Sequence, residues 1–574
     1  MRKLQRRLSD RRGHDRLGNR LLAVAMLVGV CCGCGGEPSP YFGTVRPRHG
    51  PDELWINNSS EPEWLDPSRC SDSTGGEIIW NTFEGLVQAD PRTLEPLPAI
   101  ATHWEVAPDG RRYTFQLRPS QWSDGQPLTA HDFVYAFRRL VDPQTASKYA
   151  SNGFIFTGGA EIARGDAPPE SLGVRAVDDL TLEIDLVDPL PYFINFLSFY
   201  SFMPLPRHLL ADLDRRGIDP DLWTRPEHVV CNGPFRMTEW RFRQRMVFEK
   251  NPRYWDAAGV RLKRVRLAMV ESATTALNMY AAGEFDWPGG NTSLPAEFLD
   301  HLAGYRDFHQ HPYLAVYFYW INTQAPPLDD PRVRRALSLA IDREALVEHV
   351  TRGGQIASAD LVPDGLAGYD GVGLPVFDPE AARQLLAEAG YAGGAGLPTV
   401  TLSFNTSEGH RQVAEALQAM WQRELGIDVE LQNQEWKVFL ANAEQMNFQL
   451  CRMGWIGDYA DPYTFLELLA GDCGNNHSNW SSPEYDTLLE EANRQADPAA
   501  RLALLRQAEA LALAEQPLIP LYVYTRSQLI KPYVRGIWGN HQDRHPWKSI
   551  SIDANFDPSQ AGEDQPATDM VGSW

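Results

Sequence analysis

The stretch GWIGDYADP, Gly454 to Pro462, poses the question that decides how this chain is read. Nine residues hold a tryptophan, a tyrosine and two aspartates. Indoles belong in cores, whereas carboxylates resist burial unless they are paired or hydrogen-bonded. Either this is a solvated loop beside a buried Trp455, or one of Asp458 and Asp461 is held inward to meet a cation.

Working outward, 574 residues call for several folding units. An apolar fraction of 43% with 11% aromatics suits a globular body with ample core. The first 36 residues differ from the rest. Their opening twenty carry eight Arg or Lys against two Asp, then come LLAVAMLVGV and CCGCGG. A basic head, a short apolar run and small residues read as an export signal, too short to span a bilayer. Cysteines at its end resemble a lipoprotein signal. Cys34, preceded by Gly33, is the expected lipidated residue, with Cys31 and Cys32 as alternatives. An ordinary signal peptide or a retained anchor are the other readings.

Without this segment the chain is more acidic than its overall −22. That charge argues against nucleic acid or an anionic membrane as the main partner, leaving the lipid as the only membrane contact. No later apolar run reaches transmembrane length. Cys70, Cys231, Cys451 and Cys473 remain, permitting two disulfides in three connectivities, or free buried thiols. EPSPYFGTVRPRHGP, from Glu37, reads as a tether. The polar end, 557–574, reads as disordered.

Between these ends strands and helices mix. YTFQLRP and TLEIDLV alternate as half-buried strands do. HDFVYAFRRLV, VRRALSLAIDREALVEHV, EAARQLLAEAG and RLALLRQAEALALAEQ show helical spacing. Asp330-Pro331 is a helix-start signal, Pro517 a stop, and the charged stripe of the last segment reads as solvated surface.

Catalytic signatures are missing: no HExxH, no GxSxG, no Walker loop and no GxGxxG. His309 and His311 form a weak pair, read as a strand edge rather than a metal site. No carboxylate pair is identifiable as a hydrolytic dyad. The expectation is a binding protein, not an enzyme, with no metal and no cofactor.

Many separate stretches then agree with one family. LEPLPAIATHWEVAPDGRRYTFQLRP, WSDGQPLTAHDFVYAFRRLVDP, LVDPLPYF, CNGPFRMTEW, KNPRYWD, INTQAPPLDDPRVRRALSLAIDRE, NQEWKVFL and GWIGDYADPYTFLE occur in one order. From about Leu54 to about Ile552 the chain resembles the bacterial extracellular solute-binding proteins of family 5, the oligopeptide-binding branch serving peptide ABC importers. The resemblance implies an α/β, two-lobed periplasmic-binding-protein-like fold of type II. Mixed sheets are flanked by helices, an additional domain joins the first lobe, and a hinge links the lobes. It implies a signal over 1–36, a tether over 37–50 and three domains. Domain I comprises 51–84, 205–314 and 526–556. Domain II is 85–204, and domain III is 315–525. The implied protein is exported, in the periplasm or cell envelope, lipid-anchored and monomeric. Its implied partners are an oligopeptide and the permease subunits of an ABC importer.

By the same resemblance, Asp458 meets the ligand's α-amino group through a charge-assisted bond, and a structural, turn-capping aspartate is the alternative. Asp461 reads as a turn or helix-start residue. Arg452 and His410 match positions that receive the ligand's carboxylate. Gly454 lets a ligand backbone approach. Trp436 and Trp455 match pocket aromatics, with core packing as the alternative. Tyr149 and Tyr313 also match pocket aromatics. Ser71 to Ser73 matches a segment running beside the ligand. Main-chain pairing would supply affinity, and roomy hydrated pockets tolerance.

This chain also departs from its relatives. A lysine used for longer ligands falls at Ala325, an arginine at Ala443 and a glutamate at Trp320. An inter-strand disulfide is lost from both sides, at Ala315 and Ile456. A murein peptide, a nickel chelate or another solute, or a sensory or chaperone-like role without transport, are the alternative readings.

Overall fold

The computed structural model describes residues 39–558 apart from Pro191 and Ala496. The expected signal, its three cysteines and nearly all of the tail lie outside the described residues.

Three principal sheets organise the chain. In the first, Glu53–Asn57 runs parallel to Arg264–Ala268, followed antiparallel by Arg245–Lys250 and Phe235–Arg241. The second is a fully antiparallel set: Ala101–Val106, Arg112–Leu117, Thr181–Asp185 and Val174–Asp178. The third is mixed and six-stranded, in the order Ile356–Ala357, Leu518–Leu529, Phe308–Ile321, Leu450–Ile456, Val400–Asn405, Val429–Gln434.

The YTFQLRP and TLEIDLV alternations become neighbouring strands of the second sheet. Phe115 and Leu117 turn inward under the Ala130–Val141 helix, meeting Phe133 and Phe137. The third sheet is covered on both faces, so its central strand is apolar throughout. Tyr317, Tyr319 and Ile321 enter one core, while Val316, Phe318 and Trp320 enter the core on the other side. That split is the two-residue side-chain repeat of a strand.

Two expectations for the helices change. VRRALSLAIDREALVEHV is not one helix. The first part, Pro331–Leu339, starts where expected, with the Asp330 carboxylate accepting from Arg332 N–H at 2.8 Å. It stops because Asp342 caps a second start, accepting from Ala345 N–H at 3.0 Å. The Arg343 guanidinium is then buried against the Pro520, Ser338 and Val376 carbonyls. The Pro498–Glu515 helix ends before Pro517 as expected, with Gln516 left-handed. Its acidic positions are not all solvated, however. Glu509 is fully buried and accepts from the Leu361 and Val362 N–H groups and the Tyr369 hydroxyl. The three donors offset only part of the cost of burial, which pushes the Glu509 carboxyl up to about 7.

From Tyr41 onward the expected tether is laid on the body. Tyr41 is buried, Phe42 N–H donates to Asp307 and Phe42 O accepts from Lys531. All four described cysteines are free thiols, three of them buried. Ala315 and Ile456 are direct cross-strand partners in the third sheet. The two positions at which the resemblance implies a missing disulfide therefore face each other. No helix among the described residues is long and apolar enough to cross a membrane.

Candidate ligand-binding site

A cavity of about 420 Å³ is lined by strands of the third sheet, by the Ser73–Thr82 helix, by loops and by the C-terminal segment. Ser71, Ser73, Tyr149, Tyr313, His410, Trp436, Arg452, Gly454, Trp455 and Asp458 all border it. Ala325 and Ala443 do not, whereas Trp320 does.

The opening stretch builds one wall. Leu450–Ile456 is a strand pairing with Phe308–Ile321, and Gly454 stands opposite Tyr317. A Cβ on Gly454 would come within 3.3 Å of the Tyr524 hydroxyl, so the glycine keeps the wall flat. The chain then turns at Gly457, where a Cβ would meet Leu314 at 2.8 Å. Gly457 N–H donates to Leu314 O, and its carbonyl accepts from Gln542. The turn is closed onto the short Tyr463–Leu466 helix. The Trp455 indole donates to Thr464 O at 2.7 Å and Asp458 N–H to Thr464 Oγ1 at 3.0 Å.

The two aspartates now part company. Asp461 caps Tyr463 N–H and holds Arg501 through two bonds of 2.7 and 2.9 Å. It is a turn residue with its own cation. Asp458 is buried, and its Oδ2 has no hydrogen-bond partner. Burial pushes its carboxyl up to about 8, opposed by Arg544. That guanidinium reaches only the Asp458 main chain, donating to the carbonyl at 3.1 Å. A buried acceptor without a donor is rare, and this one faces a cavity.

Arg452 lies over the Tyr317 ring at 4.6 Å and donates to the Tyr524 hydroxyl at 2.7 Å. Its Nε has no partner. His410 is 3.3 Å from the Tyr317 hydroxyl. Burial, then Arg452, holds its imidazole well below the usual range. It is therefore a neutral donor or acceptor beside a fixed cation, not a second positive charge. Tyr149 and Trp455 have ring centres 6.2 Å apart. Trp436 opens the Trp436–Glu444 helix and stacks on Phe439. Ser71 and Ser73 flank Asp72, whose carboxylate caps the Ser73–Thr82 helix through Gly75 N–H.

Sequence reasoning missed Arg544, Arg526, Asp543, Glu77 and Tyr524, all on the cavity wall. The charge-dense HQDRH at 541–545, close to an otherwise featureless end, was the available signal. Among the described residues there is no group of three or more metal-ligating side chains.

Residues 95–477 match the model for bacterial extracellular solute-binding proteins, family 5 (middle). The chain belongs to this family. Among family 5 relatives, the oligopeptide-binding protein OppA of Bacillus subtilis is 35% identical over 90% of this chain and 95% of its own length. The periplasmic oligopeptide-binding protein OppA of Salmonella typhimurium is 37% identical, covering 84% and 89%. Family 5 is also seen in the solved structures. The periplasmic oligopeptide-binding protein OppAIV of Borrelia burgdorferi superposes with TM-score 0.83 at 33% identity, covering 87% of this chain and all of that one. The murein tripeptide binding protein MppA of Escherichia coli gives 0.83 at 35% identity, covering 89% and 99%. The unliganded open form of MppA gives only 0.59. This chain thus has the family 5 fold, an α/β two-lobed type II binding protein, with lobes placed unlike that open form.

Proposed function

We propose that this chain is an extracytoplasmic receptor that binds oligopeptides between two closing lobes and delivers them to an ABC importer permease. Asp458 carries this reading. It is a buried carboxyl with one oxygen unpartnered, and a free peptide amine supplies both the donor and the charge. Arg452, with the neutral His410 beside it, offers donors for a carboxylate end. The relatives named for oligopeptide binding support the same ligand class.

In this reading the lobes follow the expected division, 51–84 with 205–314 and 526–556, then 85–204, against 315–525. The protein is an exported monomer without catalytic turnover, held to a membrane by lipid on Cys34 or a neighbouring cysteine. A murein peptide stays within the reading, since MppA superposes as well as the Borrelia protein does.

Asp458→Ala tests it. Isothermal titration of free-amine peptides should show at least about a tenfold weaker Kd, with thermal unfolding nearly unchanged. Native mass spectrometry of the exported chain should reveal peptide adducts spread over a few hundred daltons. Equal binding by both proteins removes Asp458 from the amine site, and one sharp non-peptide adduct replaces the ligand.

A further inference from the structure

Amine recognition leaves one more acid in the cavity unexplained. Glu77 lies in the Ser73–Thr82 helix and lines the same space. Its Oε2 accepts from the Asn291 amide at 2.8 Å, while its buried Oε1 has no partner. Apart from Asp458 and the exposed Glu271, other acids on the wall are matched. Glu84 pairs with Lys548 at 3.0 Å, Glu444 with Lys148 at 3.4 Å, and Asp72 caps its helix. Arg526 acts on Glu77 electrostatically, but it already pairs with Asp543 at 2.6 Å. Among the described residues no ion pair joins it to Glu77. His545 at 2.6 Å and His311 at 3.6 Å gather on Asp543 as well, so Glu77 is the carboxylate of this corner with no ion pair of its own among the described residues.

The cavity reaches the same corner, which Glu77, Gly290, Arg526 and Asp543 all line. Gly290 faces it, and a Cβ there would stand 3.2 Å from Asp543 Oδ2, 3.5 Å from Glu77 Oε2 and 3.8 Å from Arg526 Nη2. Glycine keeps a side chain from crowding both carboxylates where they face the cavity. Burial and then Asp543 push the Glu77 carboxyl up to about 7, opposed by Arg526 and by the Trp547 indole. An added cation would restore its charge.

We propose that Glu77 and Asp543, in front of Gly290, form a subsite for a positively charged ligand side chain, a lysine ammonium or an arginine guanidinium, separate from the amine position at Asp458. The proposal rests on the peptide reading above and adds a side-chain preference to it. The subsite selects charge, whereas Asp458 sets register.

The test is calorimetric titration of the mature chain with tripeptides that differ only by lysine or norleucine at one position, each position in turn. At one position lysine should bind wild type about tenfold more tightly or better. Glu77→Gln should lose most of that preference while holding norleucine peptides within about threefold of wild type. Equal lysine and norleucine affinities in wild type at every position, or a preference that survives Glu77→Gln, overturn the subsite. The wild-type comparison stands even if the variant folds poorly. If wild type binds neutral peptides without a lysine preference, the subsite alone falls. If it binds no peptide, the subsite and the peptide reading fall together.

Discussion

At the scale of residues, Asp458 and Asp461 show how context separates identical side chains. Three positions apart, one meets Arg501 through two bonds and the other meets no cation through its carboxylate. Closing the cleft over Asp458 removes water from a charge, which raises its pKa from the ordinary carboxylate value to about 8. The closed form thus holds a proton more tightly than a hydrated open form does. Closure without a ligand amine is favoured below the ordinary carboxylate range and is lost as pH rises toward about 8. Small-angle scattering of ligand-free protein should show expansion across that interval, and Asp458→Asn should flatten the curve. A wild-type profile matching the variant's would mean that Asp458 stays hydrated when the lobes close. His410 and Arg452 were legible as neighbouring cavity candidates, but their charge states were not. Neutrality of His410 follows from burial and then from the guanidinium beside it, both brought about by folding.

At the scale of elements, the Pro498–Glu515 helix was readable from its spacing and its stop at Pro517, while the fate of Glu509 was not. Helical periodicity marks which face is apolar, yet a loop 147 residues away supplies the donors that bury this acid. Glu509→Ala leaves two main-chain N–H groups and a tyrosine hydroxyl unpaired. It should cost about 2–4 kcal/mol in urea unfolding, with peptide affinity per folded molecule unchanged. A loss below about 0.5 kcal/mol would mean that water satisfies those donors. The Ala315–Ile456 pair carries a second expectation at this scale. Both residues are register partners on adjacent strands. The double variant Ala315→Cys, Ile456→Cys should oxidise to a disulfide and add up to about 4 kcal/mol of stability by constraining the unfolded chain. Thiol titration under denaturing conditions would show two more free thiols in the exported double variant than in wild type if the geometry is unsuitable.

At the scale of the whole molecule, contacts joining the proposed lobes accompany the closed arrangement. The Glu408 carboxylate accepts from the Ser272 and Thr274 hydroxyls, Lys148 meets Glu444, and Tyr192 stacks on Tyr459 with ring centres 4.7 Å apart. Such bonds exist only when the lobes meet, so they bias the equilibrium that a ligand exploits. Glu408→Ala should weaken every peptide by the same factor, about threefold to tenfold, because the binding-competent fraction falls while the pocket is unchanged. A factor that varies with ligand side chain would place Glu408 in the pocket rather than in the latch.

The division between sequence and structure follows from distance along the chain. Periodicity, turn residues and ordered local stretches are short-range properties, and they determined the helix and strand segments, the family resemblance and the ten candidate cavity residues. Charge pairing is long-range. Arg544 lies 86 residues from the carbonyl it contacts and Asn291 lies 214 from Glu77. Which carboxylates were left without a cation, and where a glycine stands beside one, depended on the third sheet, the Ser73–Thr82 helix and a C-terminal segment meeting around one space. Only the tertiary structure decided that.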